Sequence, residues 1–267
     1  MKISNLYALL MLTFIVASCK KEHGPNRGNP QQFVLKSVEY QEANAKAEYA
    51  YDADGLLEEI NYSDGTTAYT TRYDHLNGFI KKVSVSEGLD DQTYSYLNGK
   101  IISILLTSLN HADRSDRLAF AYNANGTVSE LKYYIIGVGG ERLASTSAYE
   151  YDNAGRLEKV VSVDAEGMTE WTIESYSSEC VFNPFTFIRP ALDEAYEIFN
   201  YPVLKKLTQL PTKISKRVHP GDRNPYIKSV IATQFVIQNK RIDKAVTTVA
   251  FPESPDDDFT STAIFRY

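Results

Sequence analysis

The sequence predicts a mainly β protein: an antiparallel up-and-down meander of short hairpins that forms a strongly curved sheet or incomplete barrel, with one short helix. Three observations carry this reading. The pattern Tyr149-Glu150-Tyr151-Asp152-Asn153-Ala154-Gly155-Arg156-Leu157-Glu158-Lys159-Val160 recurs in imperfect copies through the N-terminal half. Turn signals return every few residues from Glu42 to Gly167. No helical stretch separates them to act as a crossover, so consecutive strands must pair antiparallel.

The copies are Tyr49-Ala50-Tyr51-Asp52 before Gly55, Tyr73-Asp74 before Gly78, Tyr94-Ser95-Tyr96 before Gly99, Phe120-Ala121-Tyr122-Asn123 before Gly126, and the Tyr149 copy itself. Aromatic residues two apart share one face of a strand, because strand side chains alternate with period two. The Asp or Asn that follows accepts hydrogen bonds from the turn backbone, and glycine supplies positive φ without steric cost. The Gly99 copy is a residue shorter, and Asn98-Gly99 reads as a two-residue type I′ turn. The Gly78 copy is a residue longer.

After each glycine an apolar residue stands two and five positions on: Leu57 and Ile60, Ile80 and Val83, Ile101 and Ile104, Val128 and Leu131, Leu157 and Val160. These offsets have opposite parity, so an unbroken strand would point the pair to opposite faces. A β-bulge that resets the alternation is the preferred explanation.

These segments resemble the YD repeats of the RHS type, and the arrangement resembles small Bacteroidota lipoproteins that carry such repeats in a domain of unknown function. The resemblance covers residues 46–163 well and the remainder loosely; the copies at Gly99 and Gly126 lack the aspartate. It implies a fold and almost no biochemistry.

Residues 1–18 hold one charge, Lys2, and the apolar run Leu6 to Val16. Such a run is too short for a bilayer of about 30 Å at about 1.5 Å per residue. It reads as a signal peptide. Its end, Val16-Ala17-Ser18-Cys19, looks like a bacterial lipobox, which makes Cys19 the lipidated first residue of the mature chain. Residues 19–30 then form the lipidated cysteine and a flexible linker rich in Gly, Pro and Asn, and 31–267 form a single β-rich domain. Cys180 is left without a disulfide partner and reads as a small buried apolar residue.

Beyond Gly167, Asn183-Pro184-Phe185 and Pro190 break the strand rhythm. A helix is predicted from Pro190 to about Asn200, with Leu192, Ala195, Tyr196 and Phe199 on one face and Asn200 with Pro202 at its end. It is expected to plug or cap the concave side of the sheet, or to lie along an edge. Strand patterns resume in Ile214 to Val218, Tyr226 to Ile237, Arg241 to Phe251 and Thr260 to Arg266. Phe235-Val236-Ile237, the turn at Gln238-Asn239-Lys240, and Ile242 with Ala245 form a degenerate sixth copy.

The chain carries a net charge of −6, one unit more negative without Lys2, which argues against nucleic acid as a partner. Asp52-Ala53-Asp54-Gly55 could pass for part of a calcium loop, but the other copies replace its acids, so turn geometry is the shared property. Asp256-Asp257-Asp258 reads as a solvated loop, and Asp90-Asp91 as a weaker case. His23, His75, His111 and His219 have no metal-ligand spacing, and nothing marks a nucleophile elbow. No cofactor or metal is expected.

Most of the nineteen tyrosines sit at repeat positions and serve the sheet. Tyr133, Tyr134 and Trp171 fall outside the aromatic pairs and are the candidate ligand-binding residues of an exposed platform, with burial in the core as the competing reading. The expected function is a non-enzymatic, lipid-anchored module of the cell envelope, at the outer membrane, binding a glycan or another envelope protein. The alternatives are a structural repeat scaffold and a hydrolase or metal-dependent enzyme.

Overall fold

The computed structural model describes residues 34–86, 91–107, 113–182, 184, 198–221 and 224–267. Sixteen strands follow one another: β1 (Ser37–Tyr40), β2 (Ala45–Tyr51), β3 (Leu57–Ser63), β4 (Ala68–Leu76), β5 (Phe79–Val85), β6 (Asp91–Leu97), β7 (Lys100–Thr107) and β8 (Ser115–Tyr122) in the first half. β9 (Val128–Gly137), β10 (Gly140–Tyr151), β11 (Leu157–Asp164), β12 (Gly167–Tyr176), β13 (Pro211–Pro220), β14 (Tyr226–Gln238), β15 (Arg241–Ala250) and β16 (Phe259–Arg266) complete the set. Every strand pairs antiparallel with its neighbours in sequence, as expected from the meander. The sheet closes fully rather than stopping as an incomplete barrel: β1 pairs with β16 through Ser37↔Arg266 to Tyr40↔Ala263. Closure satisfies the backbone groups that two free edges would leave unpaired.

The repeat has one geometry. In all six copies the register slips by one residue just after the turn, so that Tyr51 faces Leu57 while Ala50 faces Glu59, and Tyr151 faces Leu157 while Glu150 faces Lys159. The same slip occurs at His75/Ile80, Tyr96/Ile101, Tyr122/Val128 and Ile237/Ile242. The extra residues are Glu58, Lys81, Ile102, Ser129, Glu158 and Asp243. This bulge turns both post-glycine apolar residues inward, and all twelve, from Leu57 and Ile60 to Ile242 and Ala245, are buried. It is the device the opposite parity of their offsets demanded.

The turns themselves fall into two chemistries. Asp52 Oδ1 accepts hydrogen bonds from the amides of Asp54 and Leu56 at 2.9 and 2.8 Å, and Asp152 does the same with Ala154 and Arg156. At the Gly126 copy Asn125 Oδ1 takes the Thr127 amide instead. The Gly78 and Gly99 copies are both two-residue turns, with positive φ at Asn77 and Gly78 and at Asn98 and Gly99. The Gly78 turn is therefore tighter than its longer spacing predicts: Asp74 to Leu76 stay in β4 and the chain reverses at Asn77-Gly78 alone.

A bulge interrupts the backbone ladder and leaves a carbonyl to be satisfied by other means. Here a tyrosine on the next strand supplies the donor. Tyr96 Oη donates to the Ile80 carbonyl at 2.8 Å, Tyr122 to Ile101 at 2.6 Å, Tyr151 to Val128 at 2.8 Å and Tyr267 to Ile242 at 3.2 Å; Tyr176 donates to Leu157. Tyr151→Phe, which removes one such donor and strands a half-buried carbonyl, is expected to cost about 1–2 kcal/mol. Urea unfolding with an unchanged m-value checks it; no loss would show that water replaces the hydroxyl.

The turns of all six copies lie at one rim, as do the start of β1, the end of β16 and the connection between β12 and β13. The described residues 198–210 of that connection pack into the barrel at this end. The one α-helix among the described residues, α1 (Tyr201–Leu204), is preceded by its N-cap Asn200 and carries Pro202 in its first turn. Asn200 and Pro202 thus begin a helix instead of ending one, because proline fits a first turn whose amides have no intrahelical partner. The predicted helix over 190–200 lies largely outside the described residues. Ile198, Phe199, Val203, Leu204 and Leu210 are buried in the same cluster as the repeat core. Tyr149 Oη donates to the Ile198 carbonyl at 3.4 Å and accepts from Asn200 Nδ2 at 3.3 Å, and Tyr94 meets Tyr201 edge-on at 6.3 Å. Residues 198–210 thus occupy the concave side as a plug, while the helix expected to do so over 190–200 lies largely outside the described residues. Cys180 is buried as expected, and burial pushes its thiol up to about 11.

Candidate functional site

Inward side chains change character along the barrel axis. Near the repeat-turn rim they are apolar and buried, from Leu57 round to Ile242. Toward the opposite rim the same alternation brings inward Tyr69, Thr71, Gln92, Asp116, Tyr133, Ser145, Ser162 and Thr169, and these are only half-buried. The barrel is therefore filled at one end, and at the other lined by aromatic rings and hydrogen-bonding groups interspersed with Val85, Leu106, Leu118 and Ile135. That half-open, polar part of the lumen is the candidate site.

Its best-defined group is on β8 and β9. Register places Asp116 opposite Ile135 and Leu118 opposite Tyr133, all facing the lumen. Tyr133 Oη donates to Asp116 Oδ2 at 2.7 Å, and Arg114 Nε donates to Asp116 Oδ1 at 3.4 Å. Burial first, and then the bond to the Asp116 carboxylate, raise the Tyr133 hydroxyl above its ordinary value. On the far side of this ring Tyr62 and Tyr69, directly paired across β3 and β4, stack at 4.8 Å. Tyr94 Oη donates to Gln92 Oε1 at 2.8 Å between them.

The three aromatic candidates from the sequence do not form one platform. Tyr133 lines the lumen. Tyr134, its neighbour, faces out on the wall, under the Arg117 guanidinium at 4.3 Å, and Arg117 in turn pairs with Glu141 at 2.6 Å. Trp171 is 2 % exposed, packed in the interior with Lys216 Nζ 5.2 Å from its ring. Burial removes Trp171 from any exposed surface, since its inward row continues from Tyr149 and Val160 into the core. Residues that sequence reasoning passed over, Gln92 and Asp116 above all, have no local signature; only the strand register marks them as inward. Cys19 lies outside the described residues, as do His23 and His111.

The outer wall is charged. Arg72 meets Glu59 at 3.1 Å, Lys159 meets Glu170 at 2.6 Å and Lys213 meets Glu174 at 2.6 Å, all on strand interiors. A membrane-spanning barrel needs an apolar band about 25 Å tall on that face. This wall has none on those strands, so the barrel is built with its apolar side inward. A groove of about 290 Å³ on the wall is lined by Lys46, Glu48, Asn61 and Thr70, but their polar groups are engaged with one another, at 2.5 Å for Lys46 with Glu48 and 2.7 Å for Thr70 with Asn61. Among the described residues no three His, Cys, Asp or Glu side chains converge as a metal site. Asp258 uses its carboxylate to accept the Phe251 amide at 2.6 Å.

No family model and no curated protein matches the sequence. Solved structures do match the fold. A porin-like protein from Bacteroides uniformis aligns at 15 % identity and a TM-score of 0.54, over 87 % of this chain and 96 % of its own. A porin-like protein from Bacteroides vulgatus aligns at 13 % identity and 0.57, over 88 % and 99 %. A Tc holotoxin pore from Photorhabdus luminescens aligns at 9 % identity and 0.34, over 79 % of this chain and 12 % of its own, a score too low to establish a common fold. The two porin-like proteins share the barrel architecture with this chain.

Proposed function

We propose that the protein is a non-enzymatic, lipid-anchored module of the cell envelope that receives a glycan in the polar half of its barrel. The observation that carries this reading is the inside-out distribution of chemistry: charges on the wall, a plugged apolar end, and half-buried tyrosines with hydroxyl, amide and carboxylate groups at the other. A barrel so built holds itself together without a bilayer round it and does not conduct. Aromatic faces beside hydrogen-bonding groups suit a sugar ring. Residues 1–18 act as the leader, Cys19 as the anchor and residues 19–30 as the linker, in keeping with the lipobox Val16-Ala17-Ser18-Cys19, and the outer membrane is the membrane we assign. The resemblance to YD-repeat lipoproteins supports the same reading. A shell-like scaffold is less favoured because the barrel interior is occupied by its own residues 198–210.

The test is thermal unfolding of the body from Gln31 onward against envelope oligosaccharides, with calcium and zinc alongside. A native-state ligand at about 100 times its dissociation constant adds about 2.7 kcal/mol. A shift with an oligosaccharide that shrinks in Tyr133→Ala is expected; a shift with a metal alone would point to a metal site at the acidic loops, and no shift with any of them would move the role to a protein partner or a scaffold. For the anchor, Cys19→Ala is expected to abolish fatty-acid labelling in cells. Labelling that survives would remove the anchor.

A further inference from the structure

Two neighbouring turns at the repeat-turn rim differ from the rest. Where the Asp52 and Asp152 turns are tied off by a carboxylate, the β4–β5 and β6–β7 turns read Leu76-Asn77-Gly78-Phe79 and Leu97-Asn98-Gly99-Lys100. Leu76 and Phe79 are direct cross-strand partners, as are Leu97 and Lys100. Both leucines are 59 % exposed and Phe79 is 40 % exposed, resting partly on Tyr96 at 5.1 Å. The extra residues of the two bulges, Lys81 and Ile102, are exposed beside them. A single exposed leucine is ordinary, but apolar tips grouped on adjacent turns mark an interaction surface.

The charge of this sector is mainly positive. Over residues 74–81 and 97–102, Lys81 and Lys100 stand against the single carboxylate of Asp74, and Lys206 from the plug reaches the same place, lying with Lys100 around Gly126. Apolar tips framed by lysines are the chemistry of an interfacial anchor: the tips enter the boundary between headgroups and acyl chains, and the ammonium groups meet anionic headgroups. Where the chain enters the barrel also bears on the occupant. β1 starts at this rim, with Ser37 opposite Arg266. The chain that follows the proposed anchor at Cys19 joins the barrel at this rim.

We infer that the β4–β5 and β6–β7 turns form a membrane-docking lip, with Leu76, Phe79 and Leu97 inserted at the surface of an anionic bilayer and Lys81, Lys100 and Lys206 set against its headgroups. The inference rests on the envelope location of the proposed function and adds an orientation: the lip faces the lipid and the glycan-receiving end faces away.

The test uses the anchor-free body from Gln31 onward, which contains all sixteen strands and the whole buried cluster, sedimented with phosphatidylglycerol-containing vesicles and with phosphatidylcholine vesicles. Binding to the anionic vesicles that weakens with salt is expected, with Leu76→Ser, Phe79→Ser and Leu97→Ser together weakening it at least about tenfold. Lys81→Glu with Lys100→Glu is expected to remove the preference for anionic lipid. The melting temperature of each variant checks that the fold is kept. No vesicle binding by the unaltered body, or equal binding by the triple-serine variant, overturns the inference; so does a body that ignores vesicles yet depends on the three tips to cross-link an envelope protein. Fatty-acid labelling of Cys19 and the oligosaccharide shift are read separately, so loss of the lip leaves both standing.

Discussion

Raising the pH above 10 is expected to destabilise the barrel steeply and to unfold it by about pH 12. Tyr94, Tyr96, Tyr122, Tyr149, Tyr151, Tyr176, Tyr201 and Tyr267 all face the interior, and for each of them burial is the leading cause that lifts the hydroxyl above its ordinary value. Tyr122, Tyr151, Tyr201 and Tyr267 are pushed up to about 12, and the other four higher. In the unfolded chain all of them release a proton near their ordinary value of about 10. Between those values the native state holds more protons than the unfolded state, so stability falls as pH rises. The contribution is complete below about pH 10 and is lost as pH climbs through the native values. For Tyr96, Tyr122, Tyr151, Tyr176 and Tyr267, loss of the hydroxyl proton also removes the donor that satisfies a bulge carbonyl. The measurement is an alkaline titration followed at once by tyrosinate absorbance and far-ultraviolet circular dichroism. One cooperative step in both signals is expected. Gradual tyrosinate formation near pH 10 with an intact β signal would show that water reaches the inward tyrosines.

Leu157→Ala is expected to cost about 4 kcal/mol, a large share of the 5–15 kcal/mol that holds a typical domain folded. Leu157 is fully buried, at 0 % exposure, at the post-glycine position that the bulge turns inward, and its carbonyl receives the Tyr176 hydroxyl. Truncation there leaves a cavity walled by a closed sheet, which cannot collapse as a loop would. Leu97→Ala, two copies earlier but on the outer side of its turn at 59 % exposure, is expected to change stability by less than about 0.5 kcal/mol. Urea midpoints of the two variants decide the matter. Equal losses would mean that the repeat does not sort its leucines between core and rim as the register shows.

Much of the fold was legible from local chemistry. Turn residues such as Asp52, Gly55, Asn98 and Gly99 act within four residues of themselves, so their signal survives in one sequence. The bulge was legible too, because Leu157 and Val160 could share a face only if the alternation were reset. The Gly78 turn was misjudged because Asp74 carries the repeat's signature while Asn77-Gly78 closes the chain; the two signals compete at a spacing one residue too long. Asn200 and Pro202 were read as a helix end where they open one, because proline can stop one helix or start another and nothing local distinguishes the two.

The candidate site was less legible. Tyr133 and Tyr134 are adjacent in sequence and stand on opposite faces of the wall, and Trp171 belongs to the buried row begun by Tyr149 and Val160. Gln92 and Asp116 became lumen residues only through pairing with Val83 and Leu106. Tyr176 and Tyr267, outside any recognisable copy, turned out to complete the pattern by reaching the bulge carbonyls of the preceding strand.

The sequence by itself determined the unit of construction: strand, turn, bulge and inward apolar pair, six times, because each of these depends on contacts within about a dozen residues. Tertiary structure decided what the units enclose. Closure depends on Ser37 meeting Arg266 across nearly the whole chain, and the plug on Tyr149 meeting Asn200. The separation of a filled apolar end from a polar open end arises from sixteen strands held in register at once. No local pattern carries that information, because the face a residue presents to the lumen is set by its partners on other strands and not by its neighbours in the chain.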